Sequence, residues 1–144
     1  MRVDGVLETC LYATDLEAVR RFYQEVLGLE LFAEQAGRHL FFRVGQGVFL
    51  VFNPEATLQE TALPPHGAQG PGHVCFRVPA QDLEAWAARL VSQGHPVTWT
   101  DWKAGRSLYV RDPAGNLVEL APGAIWGLLD QSSSIPTSSP SGSR

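Results

Sequence analysis

The feature that most restricts the fold of this chain is an internal echo. Residues 36–54, AGRHLFFRVGQGVFLVFNP, align without a gap on residues 104–122, AGRSLYVRDPAGNLVELAP. Seven of the nineteen positions are identical: Ala36/Ala104, Gly37/Gly105, Arg38/Arg106, Leu40/Leu108, Arg43/Arg111, Gly47/Gly115 and Pro54/Pro122. Five of the other twelve exchange one apolar residue for another: Phe41/Tyr109, Phe42/Val110, Phe49/Leu117, Leu50/Val118 and Phe52/Leu120. An echo of this length means that the chain is built from two copies of one unit. The mismatch of most consequence is Glu119, which stands inside an apolar run where the alignment places Val51 in the first copy.

Hydrophobic periodicity gives each copy the same element order. Residues 6–13 alternate as a strand, with Glu8, Cys10 and Tyr12 on one face and Leu7, Thr9 and Leu11 on the other. Thr14 followed by Glu17 reads as a capping box. Leu16, Val19, Phe22, Tyr23, Val26 and Leu27 then recur at helical spacing up to Gly28. Residues 29–33, 40–44 and 47–52 read as three strands. Residues 53–72, with Pro54, Pro64, Pro65 and Pro71, read as a connecting loop. Residues 73–78 open the pattern again, and Asp82-Leu83-Glu84-Ala85 repeats Asp15-Leu16-Glu17-Ala18. Residues 97–100, 108–111 and 116–121 supply the last three strands, with a turn at Asp112-Pro113-Ala114-Gly115-Asn116. The expected fold class is α+β, two tandem βαβββ units. Residues 1–128 form one domain (unit one 5–54, linker 55–71, unit two 72–123), and residues 129–144 form a Ser/Pro-rich tail too poor in apolar residues to order.

The totals exclude several functions. Fifteen acidic against eleven basic residues leave a net charge of −4, and the absence of a basic cluster argues against nucleic acid. No apolar run is long enough to cross a bilayer, and the N-terminus carries no signal or transit pattern. Two cysteines without CxxC spacing fit neither a disulfide scaffold nor a zinc ribbon. The expectation is a soluble, cytoplasmic domain with no membrane partner.

The tandem βαβββ order resembles the vicinal oxygen chelate superfamily of glyoxalases, extradiol dioxygenases, fosfomycin-resistance enzymes and bleomycin-binding proteins. The resemblance rests on DLEAVRRFYQEVLGLEL in the first unit, GHVCFRV opening the second and RSLYVRDPAGNLVEL closing it, and covers roughly residues 5–123. It implies curved sheets around a cleft with a divalent metal on its floor, the ligands coming from the first and last strand of each unit. The matching positions are Glu8, Val51, His73 and Glu119, of which Val51 cannot coordinate a cation. Glu8 and His73 occupy equivalent places, each two residues before a cysteine (Cys10 and Cys75). The implied set is thus Glu8, His73 and Glu119 around one Mn, Fe, Ni, Co or Zn ion, with open positions for a small vicinal-oxygen substrate. Glu8 or Glu119 is the candidate base.

An isolated Glu on a strand is commonly a solvated residue, and a His after Gly-Pro-Gly commonly a turn residue. Glu119 is different: an unpaired buried carboxylate costs several kcal/mol, so it needs a cation or hydrogen bonds. Cys10, Cys75, Tyr12, Phe49, Val51 and Arg106 are candidate pocket residues, and Trp99 and Trp102 could wall it. Arg38 and Arg106 could bind an anion or form salt bridges at a unit interface. His39, His66 and His95 receive no role.

The resemblance also implies a homodimer in which the first unit of one chain faces the second unit of the other. Glu8 would then join His73 and Glu119 of a different subunit. Three functions are open: a metal-dependent lyase, isomerase or ring-opening enzyme; a metal-free drug-binding protein of the bleomycin-resistance type; and an Fe(II) extradiol-type dioxygenase.

Overall fold

The computed structural model describes residues 1–129, so the expected tail lies, apart from Leu129, outside the described residues. The fold is α+β. The first unit runs β1 (Glu8–Tyr12), α1 (Leu16–Arg21) continued by a π-helical turn (Phe22–Val26), β2 (Glu30–Gln35), β3 (His39–Val44) and β4 (Gly47–Phe52). A short helix α2 (Pro54–Thr57) precedes the connection to β5 (His73–Arg77), α3 (Leu83–Ser92), β6 (Thr98–Trp102), β7 (Gly105–Arg111) and β8 (Leu117–Ala121). The strands form two four-stranded sheets of identical topology, β1-β4-β3-β2 and β5-β8-β7-β6. In each, the first strand pairs parallel with the last and the remaining pairs are antiparallel.

Local chemistry accounts for most element ends. The cap of α1 is Asp15 rather than the expected Thr14; its Oδ1 accepts from Ala18 N at 3.1 Å, serving one of the orphan donors of the first turn. Gly28 takes a positive φ of 72°, which lets Leu29 N reach Tyr23 O at 2.9 Å and close the wide last turn. The segment read as all loop contains α2, because Asn53 accepts from Glu55 N at 3.0 Å and Pro54 presets the first helical φ.

One apolar cluster unites the units. Val19, Phe22, Tyr23 and Val26 from the first helix pack with Leu11, Phe42, Phe49 and Val51, and with Phe76, Leu90, Leu108, Val118 and Leu120 of the second unit. Phe49 lies edge-on to Tyr23 (4.8 Å) and to Phe76 (5.2 Å). Polar locks reinforce the join. Tyr23 donates its buried hydroxyl to Asp112 Oδ2 at 2.7 Å. Asp112 also accepts from Ala114 N, Asn116 N and Asn116 Nδ2, and Asn116 Nδ2 lies 3.1 Å from Tyr12 O across the units. Burial and the Asp112 charge together push the Tyr23 phenol far up, so it stays a donor. Arg89 of α3 donates to Glu25 O and Val26 O, both at 2.8 Å, covering the open carbonyls of the first helix.

The shared core occupies one face of each sheet. The opposite faces carry Glu8, Cys10 and Tyr12 on β1 and His73, Cys75 and Arg77 on β5.

Candidate metal and substrate site

Strand registers decide which residues are equivalent. Cys10 pairs with Leu50 in the first sheet, and Cys75 pairs with Glu119 in the second. Across the neighbouring strand, Leu50 faces Phe41 and Glu119 faces Tyr109. The structural counterpart of Glu119 is therefore Leu50, not Val51 as the ungapped alignment implied. Arg43 pairs with Val48 but Arg111 with Leu117, so the connection into the last strand is one residue longer in the second unit. A one-residue slip turns every side chain of a strand to the other face. Val51 is 0% exposed and belongs to the core, so it does not line the open face as expected; Phe49 is also a core residue but borders the open depression beside Glu8 and Cys75. Leu50 stands where a fourth ligand would, and it cannot be one.

Glu119 is 7% exposed. Ser107 Oγ donates to its Oε1 at 2.5 Å and Tyr109 OH donates to the same oxygen at 3.1 Å. Its other oxygen, Oε2, lies 3.3 Å from His73 Nε2. His73 Nδ1 is 3.0 Å from the carbonyl of Leu117. A carbonyl only accepts, so Nδ1 carries the hydrogen and a neutral ring turns a lone pair at Nε2 toward the carboxylate. Two acceptors facing each other at this distance need a proton or a cation between them. Donor atoms about 2.1 Å from one tetrahedral cation lie about 3.4 Å apart, so the pair fits that geometry without rearrangement.

Glu8 is exposed at the start of β1, and among the described residues its carboxylate makes no ion pair or hydrogen bond. By the registers, it holds the place in the first sheet that His73 holds in the second. Within one chain the described residues bring no three His, Cys, Asp or Glu side chains close enough to hold a cation. The structure thus joins His73 with Glu119 and leaves Glu8 apart. Glu8, Cys75 and Arg77 line an open depression of about 530 Å³ between the sheets.

Cys75 lies against Glu119. Desolvation first, and the Glu119 charge second, push its thiol up to about 12, so it is a neutral wall residue and not a thiolate nucleophile at pH 7. Arg106 is engaged by Glu84 (3.0 Å) and Asp101 (3.1 Å), and its guanidinium sits 4.0 Å from the Trp99 ring centre. Arg38 is paired with Glu60 at 3.1 Å. Both arginines form salt bridges, but within the second unit for Arg106 and to the connection for Arg38, not at a unit interface as expected.

The open face of the first sheet holds residues that the sequence did not single out. His39 stacks on Phe41 at 4.0 Å, and its protonated form is disfavoured by desolvation first and by Arg38 second. His66, from the connection, lies 2.7 Å through Nδ1 from Tyr12 OH and edge-on to Phe52 at 4.7 Å. Burial, then the Cys10 contact, raises the Tyr12 phenol to about 12. A histidine 54 residues from its tyrosine in sequence leaves no periodic signal; only the path of the connection reveals it.

Comparison with known proteins agrees with this architecture. A solved structure of lactoylglutathione lyase from Agrobacterium tumefaciens is 38% identical, with a TM-score of 0.85, over 89% of this chain and 100% of that one. Metallothiol transferase FosB of Staphylococcus epidermidis is 23% identical over 131 residues, 87% of this chain and 86% of that protein. The fosfomycin resistance protein FosX of Listeria monocytogenes, solved as a mutant complexed with Mn(II) and 1S,2S-dihydroxypropylphosphonic acid, is 20% identical with a TM-score of 0.64, over 83% of this chain and 90% of that one. The sequence profile of one family matches residues 5–120, which take in all eight strands but for the last residue of β8: the chain belongs to the Glyoxalase/Bleomycin resistance protein/Dioxygenase superfamily.

Proposed function

We propose that this protein is a divalent-metal-dependent enzyme acting on a small substrate with two adjacent oxygens, by lyase, isomerase or group-transfer chemistry. The observation that carries the reading is the His73–Glu119 pair, in which Nε2 and Oε2 lie 3.3 Å apart while Nδ1 is committed to the Leu117 carbonyl. The relatives add support: one is named a metallothiol transferase, and another was solved with Mn(II).

His73 Nε2 and Glu119 Oε2 would hold the cation, and Glu8 of a second copy would complete the set, since a single chain leaves it away from the pair. A divalent cation bound there supplies Lewis acidity toward two neighbouring substrate oxygens. The chain's own residues divide the remaining work. Leu117 O fixes the His73 ring, and Ser107 and Tyr109 hold Glu119 in place. Glu8, exposed and without a partner among the described residues, is the freer carboxylate and the better candidate to move a proton. With Leu50 at the fourth position, the set is one imidazole and two carboxylates, which differs from the 2-His-1-carboxylate triad of non-haem Fe(II) oxygenases.

The test is metal content and affinity. Protein purified without chelator should take up about one equivalent of Mn2+ per chain, and His73→Ala or Glu119→Gln should abolish tight uptake. Glu8→Gln and His73→Ala each disable both shared sites of a dimer, yet a mixed dimer of the two retains one intact site. Equimolar mixing makes half of the dimers mixed, so recovery of about a quarter of the wild-type uptake supports the shared arrangement; none on mixing argues that each chain builds its site alone. Wild-type protein holding less than about a tenth of an equivalent after loading would overturn the enzyme reading. That result would favour a metal-free binding protein, for which the aromatic face of Tyr12, Phe41 and Phe52 is the specific supporting observation.

A further inference from the structure

Glu119 is held by a relay that begins at the rim of the open face. Trp102, the last residue of β6, is 47% exposed. Its indole Nε1 donates to Ser107 Oγ at 2.7 Å. The indole nitrogen only donates, so the direction of this bond is unambiguous. Ser107 is fully buried. With one lone pair taken by Trp102, its single hydrogen turns to Glu119 Oε1 at 2.5 Å. Tyr109 donates to the same oxygen at 3.1 Å. Two hydroxyl donors thus converge on Oε1, while Oε2 is the atom turned toward His73. The equivalent positions of the first sheet hold His39, Phe41 and Leu50, an assembly with no carboxylate to orient. The relay therefore belongs to the second unit and to Glu119.

We infer that Trp102 is a positioning residue which, through the Ser107 hydroxyl, pins Glu119 so that Oε2 alone is presented to a divalent cation beside His73. The inference rests on the metal reading above and adds to it the residue that sets the carboxylate's orientation. A free Ser107 hydroxyl can rotate among several acceptors. Trp102 removes that freedom, and the carboxylate is then oriented before any cation arrives. Partners of this kind, one step removed from the metal, typically change affinity by about 10–100-fold when lost.

The experiment uses the full chain and two probes, Mn2+ affinity by chelator competition and the indole 1H–15N resonances during Zn2+ titration. The four variants are wild type, Trp102→Phe, Ser107→Ala and the double substitution. Trp102→Phe should bind Mn2+ about 10-fold more weakly and Ser107→Ala about 10–100-fold more weakly. The double variant should bind no more weakly than Ser107→Ala alone, because Trp102 acts only through that hydroxyl. Among the four tryptophans, the indole resonance missing in Trp102→Phe should shift with Zn2+ in wild type and stay still in Ser107→Ala. A general structural role for Trp102 moves none of these in that pattern. Affinity within about twofold of wild type in Trp102→Phe, or losses that multiply in the double variant, overturns the inference while the metal reading stands. Should Trp102→Phe fail to fold, selective 15N assignment of the wild-type indole replaces it, and an unshifted Trp102 resonance on saturation with Zn2+ overturns the inference. Wild type that binds neither ion removes the metal reading and this inference together.

Discussion

Glutamate placed at Val51 and, separately, at Leu50 tests whether the strand registers or the ungapped alignment identify the counterpart of Glu119. Val51 is 0% exposed in the apolar core. A carboxylate there has no water and no donor, and the least costly state at pH 7 is protonated. Raising its pKa above 7 from an unfolded value near 4.3 costs about 1.36 × (7 − 4.3), or about 3.7 kcal/mol. Loss of the valine's buried surface adds about 1.5 kcal/mol. The sum, about 5 kcal/mol, is comparable with the whole stability of a small domain. The sign with pH is fixed: a carboxyl whose folded pKa is raised is protonated in both states at low pH, so the deficit shrinks as pH falls. Between pH 7 and pH 5 it should shrink by about 2.7 kcal/mol. Leu50 is 7% exposed but lies outside the core cluster, on the face shared with Cys10 and Phe41. Leu50→Glu can turn its carboxylate toward the solvent of the open face, so it should cost the leucine's contact, about 1.5–3 kcal/mol, plus a smaller part of the desolvation penalty, with a shallower pH dependence than Val51→Glu. Urea unfolding of both variants at pH 7 and pH 5 measures this. A Val51→Glu protein as stable as Leu50→Glu, or one that weakens further at pH 5, would refute the facing assigned from the registers.

Three other outcomes follow from the structure. Tyr23→Phe removes one donor from buried Asp112, which keeps its contacts to Ala114 and Asn116; a bond to a charged acceptor is worth about 1.5–3 kcal/mol, and chemical denaturation should show a loss in that range. The folded state disfavours protonated His39, so its contribution to stability is present above the unfolded histidine pKa near 6.5 and is lost as pH falls from there toward the lowered folded value; His39→Gln should flatten the slope of stability against pH in that window, by thermal melts. Adding Mn2+ at a hundredfold excess over its Kd should stabilise wild type by about 2.7 kcal/mol, an increment that EDTA reverses and Glu119→Gln lacks; equal unfolding midpoints with and without the metal count against the proposed site.

Much of the fold was legible because burial imposes periods. The alternation in β1, the helical spacing from Leu16 to Leu27 and the echo between residues 36–54 and 104–122 announced two βαβββ units, and both sheets have that topology. Turn chemistry at Asp112-Pro113-Ala114-Gly115-Asn116 was also visible, since those side chains bond their own backbone. Glu119 stood out for a chemical reason, being a carboxylate that an apolar surrounding does not tolerate alone; His73 became a candidate through the family resemblance.

What the sequence could not supply was facing and adjacency across the chain. The longer connection between β7 and β8 shifts the last strand by one residue, and in a period of two that moves the counterpart of Glu119 from Val51, inside the core, to Leu50, on the open face. An ungapped alignment scores both alternatives as apolar and cannot see the difference. The same holds for Tyr12 with His66 and for Tyr23 with Asp112, pairs separated by 54 and 89 residues. Composition and spacing determined that this chain would form two copies of one βαβββ unit, each with an apolar face to bury. Which side chains meet on the uncovered faces, and which carboxylate oxygen is left turned toward an imidazole, was decided only by packing, because contacts between distant segments leave no period in the chain to read.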